Sequence, residues 1–592
     1  MERFIELLRY LVKYKNNRID QMMFYLSLFC ICVVIIHIGY TTDAEVAAVT
    51  ERTILVMFYS LFALTSLRTL ATFFVERKLS ISQISGLILI AYFMLIAVAR
   101  LRPEAYFAKQ EWVYLGIAIL FLSELSRNSL FFDNFYFNPT ILFVISFIAL
   151  ILLGTVLLML PRTTIVTPLN FIDALFMATS AVCITGLSVT DISTNFSTFG
   201  QAVVMILIQV GGLGIMTFTG FFGYFFSGGF SYKNQLMFGE ILGENKLNDV
   251  ISTLLTIIFI TLLFEFIGGV MIFSSLDTEQ FDSLGDRIFF SAFHAISAFC
   301  NAGFSILPDG INNIGYRFNY AFQLCLSSLF ILGGLGFGTV YNFYTFARHK
   351  IKGLVRRLIL RKPHAHKPQV FTFNSRFVLL CNAIVVAVAT IAYFLLERGS
   401  TLGDDSTIAG EWVTSFFMAN SSRSAGFNSV DVNFVTAPTL IMIVLLMWIG
   451  SSPGSTGGGV KVTTVAVALL NIFSLARGKE SIEIHKRRIA AESVNKAFAI
   501  ILLSVLAIGV SFILLNFTDD EKPMKSLLFE VVSAYTTCGL SLGVTPSLSP
   551  LGKVIVISTM FVGRVGMLTL LVAFIKNTRN KSYIYPTEKI LF

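Results

Sequence analysis

Four eight-residue segments align without gaps: Ser180-Ala-Val-Cys-Ile-Thr-Gly186-Leu, Ser297-Ala-Phe-Cys-Asn-Ala-Gly303-Phe, Asn420-Ser-Ser-Arg-Ser-Ala-Gly426-Phe and Ser533-Ala-Tyr-Thr-Thr-Cys-Gly539-Leu. Their glycines are separated by 117, 123 and 113 positions. A glycine at a fixed place lets the backbone take φ values closed to other residues, which turns peptide carbonyls toward a common point. Carbonyls converging from several loops can replace the water shell of a monovalent cation. The chemistry indicated is coordination by backbone. Small residues also permit close helix packing, but four aligned segments at near-equal spacing ask for more than packing.

A second set of glycines follows each loop. Gly211-Gly-Leu-Gly214 and Gly333-Gly-Leu-Gly336 begin 25 and 30 residues after their loop glycines. In the third repeat the comparable place, 24 residues on, is Gly450-Ser-Ser-Pro-Gly-Ser-Thr-Gly-Gly-Gly459-Val-Lys461. Pro453 with Gly454, Gly457, Gly458 and Gly459 cannot continue a regular helix. The span is expected to break into two pieces joined by a loop at membrane depth, with Ser455, Thr456 and Lys461 in or beside it. Gly459-Val460-Lys461 lacks the Gly-Lys pair of a phosphate loop, and no strand precedes it. A passive hinge and a gate remain open. In the fourth repeat Gly563-Arg564-Val-Gly566 stands 24 residues after Gly539. A charge inside a span is costly and faces a cavity or a partner. Arg564 is expected either to donate to loop carbonyls, as a positive barrier, or to pair with Glu265.

The elements that hold these residues are membrane helices. Of 592 residues 55% are hydrophobic and 13% charged, against roughly 25% charged in a soluble chain. Mean hydropathy is +0.77. Runs near the ~20 apolar residues that cross a bilayer lie at 21–41, 53–75, 82–100, 139–160, 197–226, 250–275, 319–346, 377–396, 434–450, 464–476, 495–516 and 552–575, with a shorter one at 112–125. Four stretches too short to span, 171–182, 288–299, 412–419 and 526–535, each lead into a glycine loop. Irregular backbone is tolerated at that depth only where protein buries it or a wet cavity meets it. The expected fold is an all-α polytopic membrane protein with four span–loop–span repeats around one central pore. The expected domains are an N-terminal extension of about four spans (1–135), then repeats at 136–230, 231–348, 349–478 and 479–592.

Basic residues cluster before the first span (Lys13, Lys15, Arg18), in the connectors at 348–362 and 477–488, and after the last span (Lys576, Arg579, Lys581). The opposite connectors carry Asp277, Glu279, Asp282 and Asp286, then Asp404, Asp405 and Glu411, then Asp519, Asp520 and Glu521. The positive-inside rule places both termini in the cytoplasm. The net charge of +9 is thus a membrane signature and not one of nucleic-acid binding. No cleavable signal peptide is evident, and the run from Met22 to Ile38 reads as the first span. The seven cysteines show no zinc spacing and no disulfide framework. Arg68 is nearly alone in its helix, so the N-terminal block is not a voltage sensor; packing, assembly and regulation stay open for it. His294 lacks a nucleophile pattern and reads as structural, while His364 and His366 read as solvated. An enzyme is not indicated, and no cofactor is expected.

The four loops resemble the selectivity-filter loops of the Trk/Ktr/HKT superfamily of potassium transporters, of the bacterial TrkH and KtrB membrane-subunit type. The resemblance covers about residues 139–592. In that family four filter glycines accompany potassium selectivity, and a serine in the first repeat accompanies sodium permeation; here the first position is Gly186. Carried over by position, the resemblance implies ion binding at Ile184, Thr185 and Gly186, at Asn301, Ala302 and Gly303, at Ser424, Ala425 and Gly426, and at Thr537, Cys538 and Gly539. The third loop carries the family's Arg-x-Ala-Gly-Phe pattern, and Arg423 is expected behind the filter, paired with Glu411 or Asp431. The resemblance favours the gate for 450–461. It also implies potassium uptake in a bacterial cytoplasmic membrane, a homodimer and a cytosolic ring of nucleotide-binding RCK proteins. The basic cytoplasmic patches suit such a ring or anionic lipid heads. Channel and sodium- or proton-coupled symporter remain alternatives.

Overall fold

Helix boundaries follow local caps. The computed structural model describes residues 2–40, 44–76, 81–102, 106–128, 139–213, 250–358, 372–404, 407–479, 481–484 and 487–574. Gly214, the end of the run 197–226, Asp405, the 359–371 part of the basic connector with His364 and His366, Lys486, and the tail from 575 lie outside the described residues.

Two units are present. One comprises Met1–Tyr136, Leu160–Pro168 and Phe218–Leu254. Its helices are α1 (Glu2–Tyr40), α2 (Ala44–Glu76), α3 (Ile81–Ala99) and α4 (Gln110–Asn128). They close on a core of Cys30, Val34, Ile54, Phe58, Phe93 and Val113, with the rings of Phe58 and Phe93 edge-on at 4.8 Å. Arg68 forks onto Glu124 at 2.8 and 2.6 Å, both side chains buried. A bidentate pair satisfies a guanidinium that hydrocarbon would otherwise reject.

The other unit comprises Phe137–Met159, Leu169–Thr217 and Leu255–Phe592. Its first repeat is α5 (Pro139–Leu158), half-helix α6 (Phe171–Val182) and α7 (Thr198–Gly212). The second is α8 (Val250–Ser275), half-helix α9 (Leu284–Phe299), α10 (Tyr320–Gly334) and α11 (Phe337–Leu358). The third is α12 (Phe373–Glu397), half-helix α13 (Ile408–Ser421), α14 (Ala437–Trp448) and α15 (Val462–Ala476). The fourth is α16 (Ala491–Thr518), half-helix α17 (Met524–Thr536), α18 (Pro550–Val565) and α19 (Met567–Phe574). Asn170, Ser283 and Thr407 cap α6, α9 and α13 by accepting the N–H of Asp173, Asp286 and Gly410. Such caps satisfy donors that a helix start leaves free. Among the described residues five helices are long and apolar enough to cross a membrane, or six counting one bent pair.

Two expectations need correction. The run 319–346 is not one span: α10 and α11 meet at a 100° bend, where Gly336 takes a φ of +85°. The run 552–575 likewise divides at Gly566, with a φ of +87°. The second span thus breaks in the second, third and fourth repeats, because each carries glycine where the turn needs a left-handed backbone. A two-residue ladder, Glu483–Ile484 antiparallel to Arg487–Arg488, is a small addition to the helical fold.

Candidate functional site

Each half-helix points its C-terminus into a glycine loop. In the first, second and fourth repeats the ending is the same. The N–H groups of Ile184, Asn301 and Thr537 reach the carbonyls of Ala181, Ala298 and Ala534 at 3.2, 3.0 and 3.2 Å. Those of Thr185, Ala302 and Cys538 reach Ser180, Ser297 and Ser533 at 2.8, 2.8 and 3.0 Å. This pair of bonds is the Schellman ending, whose turning residue is usually glycine. Here Ile184, Asn301 and Thr537 hold φ values of +57°, +59° and +49°, at about 1–2 kcal/mol each.

The third loop differs. The carbonyl of Ser421 accepts from Ser424, Ala425 and Gly426 at 3.2, 2.8 and 3.0 Å. Ser421 Oγ donates to the Phe427 carbonyl at 2.5 Å, as Ser297 Oγ does to Phe304 at 2.7 Å. Ser421, not Asn420, is therefore the counterpart of Ser297. The ungapped alignment is wrong there by one residue. The shorter loop reaches its glycine without a left-handed residue before it.

The four glycines close a ring. Gly186, Gly303, Gly426 and Gly539 take φ values of +88°, +70°, +73° and +96°. A Cβ placed on Gly186 would lie 2.5 Å from the Ala302 oxygen, and one on Gly303 2.6 Å from the Ala425 oxygen. One on Gly426 would strike the Cys538 oxygen, and one on Gly539 the Thr185 oxygen. Each glycine admits the carbonyl that precedes the next glycine, and the fourth returns to the first. Eight of the twelve loop residues named from the sequence make these contacts, namely the four glycines with Thr185, Ala302, Ala425 and Cys538; Ile184, Asn301, Ser424 and Thr537 each stand one position before a carbonyl residue. A cavity of about 590 Å³ opens against the four glycines and is also lined by Asp191, Asp309 and Asp431. These three acids, one following each of the first three loops, are not among the connector acids named from the sequence. Their signal was present, since each lies five or six residues after its glycine.

The loop between α14 and α15 is closed at its base by Gly450 N–H to Val460 O (2.9 Å) and Val460 N–H to Trp448 O (3.1 Å). It docks into the break of the second repeat: Ser452 N–H reaches Gly334 O at 3.1 Å, and Phe337 N–H reaches Gly454 O at 2.9 Å. It also meets the glycine loops. Asn301 Nδ2 donates to Thr456 Oγ1 at 2.8 Å, and Thr456 Oγ1 donates to the Phe299 carbonyl at 3.2 Å. A Cβ on Gly457 would strike Ser424 Oγ, and one on Gly458 would strike Thr537 Oγ1. Lys461 Nζ donates back to Gly457 O at 2.7 Å. Arg564 donates from one nitrogen to Thr456 O, and from the other to Gly211 O at 3.1 Å. The alternative partner, Glu265, instead accepts from Gln209 Nε2 at 3.0 Å.

Comparison with known proteins follows the same segments. The model of TrkH, a cation transport protein family, matches residues 121–584. The chain belongs to the TrkH family. Among relatives of this TrkH-family chain, the Ktr system potassium uptake protein B of Bacillus subtilis is 35% identical over 456 residues, 77% of this chain and 96% of that protein. The potassium/sodium uptake protein NtpJ of Enterococcus hirae is 32% identical over 462 residues, 77% of this chain and 97% of that protein. The crystal structure of the potassium transporter TrkH from Vibrio parahaemolyticus superposes with a TM-score of 0.58, 17% identity, covering 84% of this chain and 98% of that one. The chain is thus a multi-pass membrane protein of a transport family, with the helical TrkH fold.

One site assignment is overturned in this family member. Arg423 NH2 bonds Asn382 Oδ1 at 2.9 Å and the Gly450 carbonyl at 3.2 Å, not a carboxylate. Glu411 faces Arg398 at 3.7 Å, and Asp431 accepts from the N–H of Asn433. Asn382 also donates to Ser452 Oγ at 2.7 Å. It was missed by sequence reading, although a lone amide inside the apolar run 377–396 is a signal of its own. His294 is buried and hydrogen-bonded on both nitrogens.

Proposed function

We propose that this chain carries potassium into the cell through the ring of four glycine loops, with the 450–461 loop as its gate. The observation that supports it is the ring itself: Thr185, Ala302, Ala425 and Cys538 each bring a carbonyl against the glycine of the adjoining loop. Carbonyls so gathered, with their neighbours at Ile184, Asn301, Ser424 and Thr537, replace an ion's water. The relatives' names, potassium uptake and potassium/sodium uptake, agree with a monovalent cation as substrate. Asp191, Asp309 and Asp431 around the outer cavity raise the local concentration of that cation.

In this reading the pore repeats span 136–230, 231–348, 349–478 and 479–592 behind a 1–135 extension. The protein lies in a bacterial cytoplasmic membrane with both termini inside. A second copy and a nucleotide-binding RCK-type ring are the partners, and anionic lipids meet the basic connectors. The test is radioactive rubidium uptake into proteoliposomes, with and without a sodium or proton gradient. Gradient-independent uptake supports a gated channel, and gradient-dependent uptake supports the symporter alternative. Absence of rubidium flux in the wild type and in the 455–459 deletion would refute the reading.

A further inference from the structure

Two half-helices carry a buried histidine or glutamate that neither the ring nor the gate uses. His294 on α9 and Glu530 on α17 are fully buried. Each stands nine positions before its loop glycine, and each meets a serine standing two positions after it. His294 Nε2 lies 3.0 Å from Ser305 Oγ, and Ser541 Oγ donates to Glu530 Oε2 at 2.8 Å. His294 Nδ1 faces the Phe290 carbonyl at 2.9 Å. A carbonyl only accepts, so the proton sits on Nδ1 and Nε2 accepts from the serine. Both serines therefore donate inward to a half-helix. Both also accept a backbone N–H four positions after the glycine, from Leu307 and from Gly543, each at 3.0 Å. Thr545 Oγ1 gives Glu530 a second hydroxyl.

The other two repeats differ in the same way as each other. Met177 stands nine positions before Gly186. In the third loop, shorter by one residue, Met418 occupies the matching place, and its Sδ accepts the Ser429 N–H at 3.3 Å. A thioether is a weak acceptor beside imidazole or carboxylate. Around the ring the support alternates methionine, histidine, methionine, glutamate. In this buried support, though not in the loop endings, methionine backs the first and third loops and a stronger acceptor backs the second and fourth.

We infer that His294 and Glu530 are positioning residues for ion selection, which hold the outer lips of the second and fourth loops through Ser305 and Ser541. They thereby fix the span between the Ala302 and Cys538 carbonyls, which face each other across the ring. The inference rests on the filter reading above and assigns the filter two stiff and two yielding sides.

The test uses the full-length protein in proteoliposomes and compares rubidium with sodium flux. Ser541→Ala and Ser305→Ala remove the tie from the loop side and leave the buried core intact. Each is expected to lower the rubidium-to-sodium ratio about tenfold, the loss of one buried hydrogen bond. Glu530→Met is expected to lower it similarly, with Glu530→Gln restoring it by returning an acceptor oxygen. Ser541→Ala combined with Glu530→Met should do no more than either alone. Wild-type ratios in both serine variants, with monodisperse protein, would overturn the inference. Gly186→Ser separates the two readings. A changed ratio there beside unchanged serine variants sinks the positioning role alone, and an unchanged ratio there sinks the filter as well.

Discussion

The guanidinium of Arg564 donates to the carbonyl oxygen of Thr456, 108 positions earlier in the chain. It thereby ties the end of α18 to the loop that follows α14, and its other nitrogen reaches Gly211 O at 3.1 Å. A charged donor to a carbonyl contributes about 1.5–3 kcal/mol. Arg564→Ala is expected to free the loop and raise rubidium flux about tenfold. Arg564→Lys keeps the charge but loses the fork, and should fall between. Deleting 455–459 should exceed both. Unchanged flux in all three would remove the gate from the loop.

Gly186→Ser puts a Cβ 2.5 Å from the Ala302 oxygen, on a backbone at φ +88°. The side chain must push the second loop outward or leave the left-handed region, at about 1–2 kcal/mol. Potassium preference over sodium should fall about tenfold. Growth of a potassium-uptake-deficient bacterium at low potassium, with and without sodium, reads the change.

Asn301 joins the ring and the loop, since its Nδ2 donates to Thr456 Oγ1 at 2.8 Å. Thr456→Val and Asn301→Ala should each raise basal flux. In a double-mutant cycle they should show a coupling of about 1 kcal/mol. Simple additivity would mean that the loop moves without the filter.

Arg423 is buried and held by Asn382 Oδ1 and Gly450 O. Asn382→Leu removes the side-chain acceptor and leaves a guanidinium poorly matched, at about 3 kcal/mol or more. Arg423→Met removes the charge itself and is expected to cost less. Melting temperatures in detergent should therefore fall further for Asn382→Leu than for Arg423→Met. The reverse order would show that Arg423 is held by something other than that amide.

The half-helices at 171–182 and 526–535 were legible almost to the residue, because apolar runs too short to span leave few alternatives. The break at 450–461 was legible because Pro453 and its glycines exclude helix locally. The 100° turn after α10 was not, since Gly-Gly-Leu-Gly is tolerated in a straight helix and only the docked loop, through Phe337 N–H to Gly454 O at 2.9 Å, favours the bend. The one-residue offset of the third loop was hidden for a related reason. Asn420 and Ser421 are equally polar, and only the bond from Ser421 Oγ to Phe427 O distinguishes them.

Sequence alone determined that the chain lives in a bilayer, repeats a span–half-helix–loop unit, and places glycine at Gly186, Gly303, Gly426 and Gly539. Those properties are local: hydropathy, caps and permitted φ act within a few residues. Tertiary structure decided which carbonyl each glycine admits, that Arg423 rests on an amide and Arg564 on peptide oxygens, and that His294 and Glu530 each meet the serine beyond their own loop. The partners of Arg423 and Arg564 lie from 27 to more than a hundred positions away, beyond the few residues over which local propensity acts, so only the packing of the repeats pairs them.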